Sequence, residues 1–262
     1  MLASTGFSPG KLVAAGATDP GRRRKHNEDA FLVRPDLGLY AVADGVGGHR
    51  AGEVASALAL ETLAQFFEES RAGSWPDSYR ALFDLMLAPG GKRLSAAIRA
   101  ANHAVHARAN RLDEHQGMGT TLVAAHLTEA PLAWHVGHVG DSRAYRLRRG
   151  TLTALTRDHS VDNEPLLAAR AADGPSSRRS AITRAIGIAE SVELDMRTIE
   201  VAPGDVLLLC SDGLHRMLSD EGIAAVLGAV PGPREAAAEL LRRANEAGGL
   251  DNVTAVVAVL PG

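Results

Sequence analysis

The sequence predicts an α+β fold in which antiparallel sheets are flanked by pairs of helices. Segments with apolar residues at three- and four-residue spacing come in consecutive pairs, residues 52–69 with 92–112 and a second pair beyond residue 219. Between the pairs lie blocks of short apolar or alternating runs joined by turn residues, unlike the strict strand–helix alternation of a parallel sheet. No linker-like break in composition divides the 262 residues. Residues 11–262 therefore read as one domain behind an N-terminal tail, residues 1–10.

In chain order, the apolar run Leu39-Tyr40-Ala41-Val42 predicts a buried strand that leads into Asp44 and a glycine-rich loop. Val54, Ala55, Leu58, Leu63, Phe66 and Phe67 mark the buried face of the first helix. A short helix is expected after Trp75-Pro76, ended by Pro89-Gly90-Gly91. Leu94, Ala97, Ile98, Ala101, Val105 and Ala109 line the next helix. Strands are expected at residues 120–127, 132–139, 143–147 and 152–155, with Arg149-Gly150 at a hairpin tip. Residues 161–181, rich in Asp, Asn, Pro, Gly, Ser and Arg, read as a mobile surface segment. Residues 193–201 and 205–210 are expected to pair as a hairpin across Pro203-Gly204. Ser219 caps one helix, Pro233 opens another that stops near Gly248-Gly249, and residues 252–260 form the closing strand.

The totals exclude several function classes. No stretch is long and apolar enough to span a bilayer, and a formal charge of -3 gives no general attraction to nucleic acid or anionic membranes. The single cysteine, Cys210, cannot form an intrachain disulfide and suits a reducing cytoplasm. Nothing in residues 1–10 resembles a signal peptide.

What remains is a set of carboxylates in one recurring context. Asp44 and Asp212 follow apolar runs, Asp251 precedes one, Asp141 lies at a bend between two, and each is followed by Gly, Ser or Asn. Taken singly, each would cap a turn. Together they suggest one oxygen-lined site for Mg²⁺ or Mn²⁺ assembled from distant segments. Asp44, Asp212 and Asp251 would hold two ions with one carboxylate bridging, and the carbonyl of Gly45 is expected to be exposed enough to add a ligand. Arg24 would grip phosphate oxygens as a fork, with Glu28 and Asp29 fixing metal-bound waters from behind the ligands.

Six motifs then appear in order: Arg24-Lys25-His26-Asn27-Glu28-Asp29-Ala30, Ala43-Asp44-Gly45-Val46-Gly47-Gly48-His49, Gly117-Met118-Gly119-Thr120-Thr121, Val139-Gly140-Asp141-Ser142-Arg143, Cys210-Ser211-Asp212-Gly213-Leu214 and Asp251-Asn252-Val253-Thr254. Over residues 16–260 the chain resembles the bacterial branch of the metal-dependent (type 2C, PPM) serine/threonine protein phosphatases. The resemblance implies a four-layer α-β-β-α sandwich, two antiparallel sheets flanked by pairs of antiparallel helices, with metals at one end. It implies hydrolysis of phosphoserine and phosphothreonine in proteins by a metal-bridged water, counteracting a serine/threonine kinase. Positions matching Asp44, Asp212 and Asp251 hold one Mn²⁺ or Mg²⁺, Asp44 with the Gly45 carbonyl a second, and Asp141 with Asp212 a weaker third. Arg24 matches the phosphate-binding arginine, and residues 161–181 fall where the family carries a flap. The remaining implications are a phosphoprotein substrate, a cognate kinase, a cytoplasmic monomer, no nucleic acid and no membrane span.

Three departures stand out. Eukaryotic relatives place a general-acid histidine where this chain has Val46. Arg216 stands where some relatives have an acidic ligand for the third ion, which leaves that ligand set open. The flap is short.

Competing readings are weaker on chemical grounds. Cys210 and Arg216 have the spacing of a cysteine-phosphatase loop, but Asp212 between them would repel thiolate and phosphate alike. Asp44-Gly45-Val46-Gly47-Gly48 lacks the Lys-Ser/Thr that closes a nucleotide loop. His103 and His106 share a helix face without a third ligand, and His135 and His138 face opposite sides of a strand. The alternative from another class is a catalytically silent binding or sensing module, although no principal ligand position is lost.

Overall fold

Alternation of buried side chains sorts the strands into two antiparallel sheets that share one interior. A computed structural model describes residues 12–46, 51–70, 74–111, 116–164, 167–168 and 181–261. One sheet runs β1 (Val13–Asp19), β11 (Val253–Val259), β10 (Val206–Cys210), β7 (Arg143–Arg148) and β8 (Thr151–Ala154). The other runs β2 (Asp29–Arg34), β3 (Leu39–Val46), β5 (Leu122–Glu129), β6 (Leu132–Val139) and β9 (Asp195–Glu200), with β4 (Gly119–Thr120) paired to the far end of β3. All these pairings are antiparallel.

Successive residues of each inner strand face different layers, as the two-residue period of a strand requires. Tyr40, Val42, Val123, Ala125, Trp134 and Val136 of one sheet meet Leu207, Leu209, Val256 and Ala258 of the other. Their neighbours Leu39, Ala41, Ala43, Leu122 and Ala124 face outward, onto helices α1 (Ala51–Glu69) and α2 (Pro89–Ala109). Across the molecule, Leu208, Cys210, Val253, Ala255 and Val257 face α3 (Asp212–His215), α4 (Asp220–Ala229) and α5 (Pro233–Glu246). The layers are helix, sheet, sheet, helix, as the sequence predicts.

Four local expectations change. Residues 193–201 and 205–210 do not form a hairpin: β9 pairs with β6, whereas β10 pairs with β7 and β11 in the other sheet. The Pro203-Gly204 turn carries the chain between sheets, held by the Asp205 carboxylate, which accepts from Ala202 N–H and pairs with Arg148. Pro89-Gly90-Gly91 opens α2 instead of ending the preceding segment, because proline lacks only an N–H that a first turn leaves unpaired anyway. The short helix after Pro76 is two 3₁₀ turns, Asp77–Tyr79 and Leu82–Met86. The strand expected at 120–127 breaks at Thr121, whose backbone turns to Asp44. The tail at 1–10, Gly47, Gly48, His49 and most of segment 161–181 lie outside the described residues.

Candidate metal centre

The sandwich end nearest β4 gathers the carboxylates. Asp44 sits on β3 directly opposite Asp29 of β2. Its N–H donates to Thr121 Oγ1 at 3.1 Å, and Thr121 N–H donates back to the Asp44 carbonyl at 2.8 Å. Gly45 is buried, and a Cβ there would lie 2.2 Å from the Gly52 carbonyl oxygen. Only glycine lets β3 come this close to α1.

Asp212 and Asp251 arrive from the second sheet. Asp212 is the first residue of α3, straight after β10. The next residue, Gly213, packs on the loop before β11, where a Cβ would lie 2.0 Å from the Asn252 carbonyl oxygen. Asp251 accepts the N–H of Asn252 at 2.8 Å through Oδ1 and Arg24 Nη2 at 2.8 Å through Oδ2. Asn252 latches this loop to the 20–28 segment. Its Oδ1 accepts Glu28 N–H at 2.9 Å, and its Nδ2 donates to the carbonyls of Pro20 and His26.

Like charges strain this cluster. Burial pushes the Asp44 carboxyl well above the usual range, and Asp29, Asp212, Asp141 and Asp251 push it further. Burial lifts Asp29 to about 7 against the opposing hydroxyls of Ser211 and Thr254, which both donate to its Oδ2 at 2.7 Å. Burial raises Asp212 too, opposed by Arg216, and lifts Asp141 to about 6. Asp29 Oδ1 and Asp212 Oδ1 are buried without a hydrogen-bond donor. Mutually repelling carboxylates with unpartnered oxygens are the donor set that hard divalent cations take, so the residues fit Mg²⁺ or Mn²⁺.

Every residue singled out for this site reaches it. Arg24 stands at the rim, 57% exposed, within electrostatic range of Asp251, Glu28 and Asp44. The Glu28 carbonyl accepts Gly45 N–H and Ser56 Oγ, and burial raises its carboxyl. Asp141 is buried but engaged by protein groups: Arg216 Nη2 on its Oδ2 at 2.8 Å and His215 Nε2–H on its carbonyl at 3.0 Å. Thr121, Ser142, Ser211, Asn252 and Thr254 show no role of their own in the sequence, and membership of the six motifs is their one signal. Their hydroxyl and amide groups fix the carboxylates: Thr121 and Ser142 share a 2.7 Å bond, and Ser211 Oγ accepts Thr254 N–H.

The competing clusters resolve differently. Cys210 is fully buried, and burial pushes its thiol up, away from a reactive thiolate. Atoms of His138, His159 and Asp195 lie within 4.8 Å of one another. There, however, His138 Nε2–H donates to the Arg157 carbonyl, and the Arg184 guanidinium is 3.4 Å from His159 Nε2 and 3.3 Å from Asp195. A cation of the protein already occupies that corner. A cavity of about 330 Å³ lined by Phe66, Trp75, Tyr79 and Ala100 includes none of the aspartates of this centre.

Comparison with known proteins finds relatives over most of the chain. The Protein phosphatase 2C family profile matches residues 21–248. The serine/threonine phosphatase Stp of Listeria welshimeri is 34% identical over 246 residues, covering 92% of each chain. The serine/threonine protein phosphatase PstP of Mycobacterium tuberculosis is 39% identical over 94% of this chain, which spans 45% of that protein's length. The crystal structure of the PstP catalytic domain in complex with two manganese ions superposes with a TM-score of 0.77, at 36% identity, over 96% of this chain and 99% of that one.

Proposed function

The chain belongs to the protein phosphatase 2C family, and from that premise we propose that Asp44, Asp212, Asp251 and the Gly45 carbonyl hold its metal pair. It is a serine/threonine protein phosphatase, dependent on Mn²⁺ or Mg²⁺, that hydrolyses phosphoserine and phosphothreonine in proteins. The observation that carries the ligand assignment is the buried, donorless Asp212 Oδ1 facing a cluster of carboxylates from both sheets. When bound, such a pair lowers the pKa of water and neutralises phosphoryl oxygens during in-line displacement.

The protein's own groups supply the rest. Arg24 offers a planar fork to two phosphoryl oxygens, and its bond to Asp251 keeps it over the site. Asp29, anchored by Ser211 and Thr254, and Glu28, anchored through its backbone by Asn252, orient water from behind the ligands. Neither Val46 nor His215 serves as an imidazole acid. Val46 has no proton to give, and burial pushes His215 down to about 4 while its Nε2–H is committed to the Asp141 carbonyl.

The substrate class brings with it a serine/threonine kinase whose marks the enzyme removes, and we place the reaction in the cytoplasm, carried out by a monomer. One buried cysteine supports that setting, and no described helix is long and apolar enough to cross a membrane. Hydrolysis of a phosphothreonine peptide with Mn²⁺ tests the assignment. Chelation should abolish turnover, iodoacetamide should spare it, and Asp44→Asn and Asp212→Asn should each lower it by at least about 100-fold. Full turnover in either variant refutes the ligand set.

A further inference from the structure

We propose that the Arg216 guanidinium is a built-in cation of this centre, bridging Asp141 and Asp212 and excluding a third metal ion from between them. Arg216 Nη2 lies 2.8 Å from Asp141 Oδ2, and its Nη1 lies 3.0 Å from Asp212 Oδ2. Separate nitrogens thus engage separate carboxylates, one on the turn between β6 and β7 and one on α3. This is the bridge a metal ion would make.

The placement is dictated by the backbone. Arg216 follows Asp212 by four residues and closes α3, with its N–H on the Asp212 carbonyl at 3.0 Å. Residues four apart share a helix face, so the guanidinium is bound to meet Asp212. Asp141 is held to the same spot from other directions. His215 Nε2–H donates to its carbonyl, and the following residue, Ser142, bonds Thr121 at 2.7 Å. The turn therefore needs no metal to fix it.

Asp212 divides its two oxygens accordingly. Oδ2 goes to Arg216, whereas Oδ1 is buried and without a donor, left for the proposed pair. A third divalent ion would have to displace a covalently tethered cation and then share the Asp212 carboxylate with another ion beside that cation's charge. Arg216 supplies between Asp141 and Asp212 a charge that does not depend on metal concentration.

The inference rests on the reading of Asp44, Asp212 and Asp251 as ligands of two ions, and counting bound metal separates the two claims. Equilibrium dialysis of the full chain against rising Mn²⁺, with elemental analysis of the protein, should saturate at two ions. Arg216→Asp should take up a third, more weakly held ion, and Asp141→Asn added to it should return the count to two. Arg216→Gln, which removes the charge and keeps most of the side chain, guards against misfolding of the aspartate variant. Uptake of a third ion by either Arg216 variant supports the proposal. Three ions in the unsubstituted protein, or two in both Arg216 variants when both are folded by circular dichroism, overturns it. A count of zero in the unsubstituted protein overturns the metal pair itself, and this inference with it.

Discussion

Gly213 decides whether two of the carboxylates can meet. A methyl group there would lie 2.0 Å from the Asn252 carbonyl oxygen, and the obstacle is backbone that cannot rotate away. Gly213→Ala must therefore push α3 off the Asp251–Asn252 loop and widen the gap between Asp212 and Asp251. We expect Mn²⁺ affinity, measured by dialysis, and kcat/KM to fall together, each by roughly 10- to 100-fold, the range seen when ligand supports are lost. Unaltered metal affinity would contradict this account of the glycine. The carboxylates themselves were legible in the sequence, because few side chains bind hard cations and theirs recur in one context. Their supports were not. Ser211 and Thr254 look like ordinary strand-end residues until Asp29 is brought to them across 182 and 225 positions.

Among the elements, the β5–β6 pair carries a pH dependence of its own. His126 of β5 lies opposite His135 of β6, with its ring centroid 4.8 Å from that of Phe67 of α1 in an edge-to-face arrangement and Nδ1 buried without a partner. Burial pushes His126 down to about 3, with His135 and Arg93 as smaller causes. An unfolded histidine takes up its proton near ~6.5, so between there and about 3 the unfolded chain binds more protons than the native one. Native stability from this residue is complete above ~6.5 and falls by about 1.4 kcal/mol per pH unit below it. His126→Leu should remove that slope, shrinking the loss of urea-unfolding free energy between pH 7 and pH 5 by about 1–2 kcal/mol. An identical loss in both proteins would refute it. The elements were largely readable from periodicity, yet β9 and β10 were misassigned to one hairpin. Pro-Gly turns look alike whether they join neighbours in a sheet or pass the chain between sheets. What separates the cases is Asp205 reaching Arg148, a contact 57 positions away.

At the scale of the whole molecule, the site lies where the two sheets end and apolar packing between them gives out. Asp29 and Asp44 lie on strands of one sheet, and Asp212 and Asp251 lie on the segments that follow β10 and precede β11 of the other. Without ions, these charges push the sheets apart; with ions, the same charges bind them together. Ligand linkage gives that binding a size, about 2.7 kcal/mol when free metal stands at 100 times its Kd. The two signs separate in Asp44→Asn, which removes the carboxylate under the greatest repulsion and also a ligand of the pair. In EDTA, Asp44→Asn should melt at a higher temperature than the unsubstituted protein, because a neutral amide relieves Asp29, Asp212, Asp141 and Asp251 at once. In Mn²⁺ the order should reverse, since only the unsubstituted protein gains the linkage term. A variant that melts lower than the parent in both conditions would mean that Asp44 supports the fold for its own sake. The strained carboxylates would then not be the cost this protein bears for a metal site.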